Sequence, residues 1–177
     1  FLIGGTDSLA AIDELGPTIE LFLDSEGFVD GGLTHESPTI IAKIFDENGV
    51  NTAGNGIGHD ITAVLDGNAS DPIVLNDYFT LDLDSYQQGE LRYQLNDLSD
   101  GDHTLKFKVW DIYNNSSIAE VQFKVKSETD LSLDNVINYP NPFTTRTEFL
   151  FEHNQQACEA LEVSVQVFTV SGKLVKT

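Results

Sequence analysis

The chain has 177 residues, 40% of them hydrophobic and 10% aromatic, which is enough apolar material to build a packed core. Its 9 Lys and Arg against 29 Asp and Glu give a net charge of −20, so no nucleic acid and no anionic membrane is expected as a partner, since neither would find a basic face. No run of about 18 apolar residues is present, and no basic stretch followed by an apolar core opens the chain. Phe1 stands first and Met is absent, so the sequence reads as a piece of a longer protein, with residues 1–13 as a lead-in. Cys158 is the one cysteine, which excludes an internal disulfide and a four-cysteine metal site and leaves the compartment open.

In chain order, Thr18 to Asp24 is the first strand, with Ile19, Leu21 and Leu23 on one face and Pro17 starting it. Thr39 to Phe45 follows, read with Ile41 and Phe45 as its apolar positions. Then come His59 to Leu65, Tyr78 to Leu83, Glu90 to Leu95, His103 to Trp110 and Ile118 to Val125. The last two have the strongest alternation: Leu105, Phe107 and Val109 against lysines, and Val121, Phe123 and Val125 against Gln122, Lys124 and Lys126. Polar turns at Leu98 to Asp102, with Gly101 able to take a positive φ, and at Asp111 to Ser117 join the last strands into a meander. Seven strands at this spacing predict an all-β fold, an immunoglobulin-like β-sandwich over residues 14–127.

The polar, acidic residues 128–135 read as a linker, and residues 136–177 as a second, truncated immunoglobulin-like β module. Pro140 and Pro142 make Val136 to Phe143 a turn or an edge segment. Thr147 to Phe151, Leu161 to Val170 and Lys173 to Thr177 read as strands, with Val163, Val165 and Val167 as the buried face and Ser171-Gly172 as a hairpin turn. Three strands make a marginal unit, so this module is expected to lean on the first, on a partner, or on a copy of itself as an edge-strand dimer.

The loop Asp46 to Asp60 is the most unusual stretch. Asp46, Glu47, Asn48, Asn51, Asn55 and Asp60 offer hard oxygen ligands for a calcium ion, though not at EF-hand spacing, and Asn and Asp in turns also serve the backbone alone. Without Lys or Arg in the loop and without a following helix, phosphate binding is disfavoured. No other cofactor is indicated. Cys158 with His153 is the only nucleophile and base combination, set in a polar stretch without the context that catalysis needs. His35, His59 and His103 are too far apart for a local metal pattern, and Asp82 with Asp84 reads as an acidic pair on one strand face. Asn68-Ala-Ser70 and Asn114-Asn-Ser116 match the glycosylation sequon. Trp110 reads as core or sheet-face packing.

Six segments in order carry a resemblance: Asp13 to Leu23 (DELGPTIELFL), Asn48 to Ile61 (NGVNTAGNGIGHDI), Val74 to Phe79 (VLNDYF), Gly101 to Leu105 (GDHTL), Val109 to Ser117 (VWDIYNNSS) and Asn138 to Phe143 (NYPNPF). Together they resemble the C-terminal region of the gingipain-type cysteine peptidase family, in particular its sortase-like member of the type IX secretion system. The resemblance implies a preceding peptidase domain, none of whose catalytic residues match this sequence. It also implies an outer-membrane, cell-surface setting in which the intact protein processes the C-terminal signals of secreted cargo. Residues 136–177 are similar to the sorting-signal module of that system. The chain would then be a non-catalytic support, with its own peptidase domain and a PorV-type barrel as partners. A carbohydrate- or calcium-binding module of a surface protein, using Tyr78, Phe79, Tyr86 or Tyr113, is the alternative. An enzyme in its own right is disfavoured.

Overall fold

The structure, a computed structural model, describes residues 13–53, 58–127, 131–155 and 160–176. Thirteen strands are formed among them. They are β1 (Thr18–Leu23), β2 (Leu33–Thr34), β3 (Thr39–Phe45), β4 (Thr62–Leu65), β5 (Ile73–Val74), β6 (Phe79–Leu81), β7 (Gln88–Gln94), β8 (Gly101–Trp110), β9 (Ser116–Val125), β10 (Leu133–Tyr139), β11 (Glu148–His153), β12 (Val167–Phe168) and β13 (Leu174–Lys176). One 3-10 turn, Asn76–Tyr78, precedes β6. No helix of the described residues is long and apolar enough to cross a membrane.

One sheet runs β1-β3-β7-β6 and a second β2-β9-β8-β4-β5, every pairing antiparallel except β2 with β9. Register explains which faces are buried. Ile19, Leu21 and Leu23 of β1 lie opposite Ile44, Ala42 and Ile40 of β3, and Ala42 lies opposite Leu91 of β7. Residues paired across strands share a sheet face, so these side chains point inward together. They meet Leu105, Phe107 and Val109 of β8 and Val121, Phe123 and Val125 of β9 in one apolar cluster. This is an all-β architecture consistent with the immunoglobulin-like β-sandwich superfamily.

The reading of β3 by its larger side chains is corrected: Ile40, Ala42 and Ile44 face the shared core, while Phe45 is 43% exposed. Ala42 is small and hides the inward period, and Ile41 is also buried although it lies on the other face. The strands β2 and β5, two residues each, were not expected, because two residues cannot display a period. Gly172, with φ +82°, lies in the hairpin turn expected of it between β12 and β13, whereas the three-strand meander expected through Gly101 is not formed: Gly101, with φ +138°, opens β8, and β7 and β8 lie in different sheets, so only β8 and β9 pair as a hairpin. Asp82 and Asp84 do not share a strand face; they follow β6, and Asp84 takes a positive φ of 57°.

Two further antiparallel pairs, β10-β11 and β12-β13, complete the described chain. β10 starts at Leu133, inside the stretch read as a linker, and ends at Tyr139, where Pro140 has no N–H to donate. Within the expected strand Leu161 to Val170 only Val167–Phe168 pairs. The expectation that Val163, Val165 and Val167 form a buried face is overturned, for they are 57%, 39% and 44% exposed. Alternation sets the side on which an apolar residue projects, but burial also requires close packing, and Val163 and Val165 instead line an open cleft with Leu133, Val136 and Phe149 of the β10-β11 hairpin.

Candidate metal centre

Three carboxylates converge where the segment before β1, the end of β3 and the end of β8 meet. Asp13, Asp46 and Asp111 each place one oxygen within 4.8 Å of the other two; Asp13 is half-buried, Asp46 is 6% exposed and Asp111 is fully buried. Oxygens bound to one calcium ion at about 2.4 Å stand no more than about 4.8 Å apart. The three Asp residues therefore have a spacing that could chelate a metal ion.

Local structure sets each position. Gly16 brings the lead-in against the start of β9: a Cβ there would lie 2.7 Å from the Ser116 carbonyl carbon, so only glycine allows this approach. Asp46 follows β3, where its N–H donates to the Gln87 carbonyl. Its Oδ1 accepts from the N–H groups of Asn48 (2.9 Å) and Gly49 (2.8 Å), with Gly49 at φ +117°. Asp111 follows β8 and bridges to Val50; its carboxylate accepts from the Asn115 N–H and side-chain amide, both at 2.7 Å. Asn115 also donates to the Asp13 carbonyl at 3.1 Å, and Asn48 donates to the Asp13 carboxylate at 2.6 Å.

Burial pushes the Asp46 carboxyl above the usual carboxylate range; the Asn48 and Gly49 N–H groups pull it back, and the charges of Asp111 and Asp13 push it further up. Among the described residues no Lys, Arg or His forms an ion pair with any of the three. Among the described residues, neutral amides of Asn48, Gly49 and Asn115 donate to the three carboxylates.

Of the residues singled out from sequence, Asp46 alone belongs to the cluster. Asn48 touches it through its amide nitrogen. Glu47 is exposed and its carbonyl accepts from Gln87. Asn51 accepts from the Ala53 N–H. Asp60 lies at the far end of the loop, before β4, and Asn55 lies outside the described residues. Asp13 and Asp111 were missed because they are 33 and 65 residues from Asp46 and only the fold unites them. The available signal was an aspartate ending the best patterned strand, followed by the polar turn that supplies Asn115.

His35, His59 and His103 each sit in separate local contacts and are not brought together. His103 places Nδ1 2.8 Å from Asp66 Oδ2 and Nε2 2.8 Å from the Ser99 carbonyl, with its ring stacked on Phe123. His35 is buried with Nε2 3.3 Å from Asp24. His59 lies against Trp110, over which Lys108 also sits. Cys158 lies outside the described residues, and among the described residues there is no cysteine–histidine dyad. Tyr78, Tyr86 and Tyr113 are exposed, whereas Phe79 packs on the core.

No protein-family model and no curated protein matches the chain. Among solved structures it is similar to the dimeric latent PorU of Porphyromonas gingivalis, with 32% identity and a TM-score of 0.65 over 98% of this chain. The match spans 16% of the PorU chain. It is thus a distant and partial match, consistent with homology to the PorU family.

Proposed function

We propose that the chain is a non-catalytic C-terminal support and interaction region of a cell-surface, PorU-like cysteine peptidase of the type IX secretion system. The supporting observation is the likeness to PorU, 32% identity and a shared fold across 98% of the chain. In this reading residues 14–127 are an immunoglobulin-like sandwich that packs on the protein's own peptidase domain. Residues 136–177 form a partial sorting-signal-like module, joined through residues 128–135, and their uncovered strands meet a PorV-type barrel or a second copy edge to edge. Calorimetric titration of the chain, and of a version ending at Lys126, into a purified PorV-type barrel and into the separate peptidase domain tests this. Saturable binding to either is expected, with the barrel retained only by the longer chain. Absence of binding to both, or peptide hydrolysis by the chain alone, overturns the reading.

A second reading, that the sandwich binds calcium, rests on the Asp13, Asp46 and Asp111 cluster. Carboxylate oxygens suit calcium, whose flexible shell takes six to eight ligands. Asn48 and Asn115 would each present an amide oxygen to the ion after a half-turn of the side chain. Glu47, Asn51 and Asp60 would then stay outside the shell. Calorimetric titration with calcium and with magnesium tests it: saturable calcium binding lost in Asp111→Asn is expected, and no heat of binding overturns it.

A further inference from the structure

The hairpin β10-β11 meets the sandwich across a joint that packing does not fill. A cleft of about 660 Å³ lies there, lined by Leu23, Phe28 and Leu33 on one side and by Leu150, Phe151 and Glu152 on the other. An apolar interface with that much open space does not dictate one orientation, because van der Waals contact is lost across a gap. Polar contacts must therefore set it. The Leu33 N–H reaches Glu152 Oε2 only at 3.4 Å, and the Lys126 ammonium reaches the Ser132 hydroxyl at 3.2 Å in an exposed setting. Both are long or open to water and restrain little.

Asn154 differs. It follows β11 and is fully buried. Its amide nitrogen donates to the Ser127 carbonyl at 2.9 Å and to the Lys126 carbonyl at 3.4 Å, while Oδ1 accepts from the Ser132 N–H at 2.8 Å and from the Gln155 amide at 3.3 Å. One side chain thus joins the end of β9, the start of the hairpin and its return strand. The short bonds to Ser127 and from Ser132 carry the restraint, since both are made by a fully buried amide and a buried polar group left unpaired is costly.

We infer that Asn154 is an orientation latch: its buried amide holds the β10-β11 hairpin and the sandwich as one rigid body, and without it the two move independently. This fixes how any surface of the hairpin is presented relative to the sandwich, whatever partner is met.

Residual dipolar couplings measured on the full chain test the latch. Couplings from β1 to β9 and from β10-β11 are expected to fit a single alignment tensor in the native protein and two in Asn154→Ala, with exchange of the Ser132 N–H faster by roughly tenfold. Asn154→Asp keeps the bond to Ser132 but cannot donate to Ser127 or Lys126. It is expected to need two tensors as well, and it carries the test if the alanine variant unfolds the hairpin. A native protein that already needs two tensors, or an Asn154→Asp variant that still fits one, overturns the inference.

Discussion

The Asn48 side chain donates a 2.6 Å hydrogen bond to the Asp13 carboxylate, tying the segment before β1 to the loop after β3 across 35 residues of sequence. Through it Asp13 reaches a cluster in which Asp46 already sits above the usual carboxylate range, chiefly from burial. An Asp with a raised folded-state pKa opposes folding once deprotonated, and that cost fades as pH falls through the folded pKa. Asp46→Asn keeps the acceptor for Asn48 and Gly49 and removes one like charge. It is expected to stabilise the metal-free protein at pH 7 by about 1 kcal/mol, an advantage that disappears on acidification. Urea unfolding at pH 7 and in acid checks both.

Calcium should act on the same group. At a concentration a hundredfold above Kd, binding to the folded state alone adds about 2.7 kcal/mol, which for a chain this size raises Tm by roughly 5 to 10 °C. Thermal melts with calcium and with chelator should show that rise in the native protein. Asp111→Asn should abolish it, since Asp111 is the fully buried member of the cluster.

Gly16 positions Asp13 by close approach. A methyl at Gly16 meets the Ser116 backbone at 2.7 to 2.9 Å, inside van der Waals contact, and neither strand end can yield cheaply. Gly16→Ala is expected to lift the lead-in and weaken calcium binding by about tenfold, while lowering stability by about 1 to 2 kcal/mol. Calorimetry paired with denaturation separates the two effects.

The strands β8 and β9 were legible because Leu105, Phe107 and Val109 alternate with lysines and Val121, Phe123 and Val125 with Gln122, Lys124 and Lys126, which leaves a single assignment of faces, and both faces came out as expected. β3 was misread because both of its faces are apolar, so only its register with β1 decides which is inward. The carboxylate cluster was legible only in part. A sequence reading joins neighbours, and Asp46 has its own Asx-type bonds within the loop, but Asp13 and Asp111 arrive through a glycine contact and a strand end far along the chain. The faces of Val163 and Val165 failed for the opposite reason: the period was present, but these valines line an open cleft with Leu133, Val136 and Phe149 and are not packed against them.

His103 faces an acceptor from each ring nitrogen, the Asp66 carboxylate and the Ser99 carbonyl, which only the imidazolium satisfies with two N–H groups. Burial alone would lower its pKa, but the bonds to Ser99 and Asp66 and the charges of Asp66 and Asp102 together raise it. A raised folded-state pKa means that stability is present in full below the unfolded pKa and is lost as pH rises through the folded one. The native protein should therefore lose stability as pH increases from the ordinary histidine range upward, and His103→Gln should flatten that slope. Urea midpoints across this window measure it; an identical slope in the variant would show that His103 does not titrate with folding.

Asp24 follows β1 at a positive φ of 59° and gathers three donors from β2 and the chain after it: the Thr39 N–H at 2.8 Å, the Thr34 hydroxyl at 2.6 Å and His35 Nε2 at 3.3 Å. Burial would raise its pKa, yet the bonds from His35, Thr34 and Thr39 and the His35 charge outweigh it and hold the carboxyl below the usual range. Its contribution is therefore present above the unfolded pKa and lost as pH falls through the depressed folded value. Asp24→Ala removes the acceptor and also places a Cβ residue without a local hydrogen bond in the left-handed region, so a loss of about 3 kcal/mol is expected at pH 7. Asp24→Asn tolerates the backbone but turns an amide N–H toward donors, so about half that loss is expected, and the acid-dependent part of the stability should vanish. Denaturation at neutral and acidic pH distinguishes these outcomes: an Asp24→Asn variant that keeps the native acid slope would assign that slope to another carboxylate.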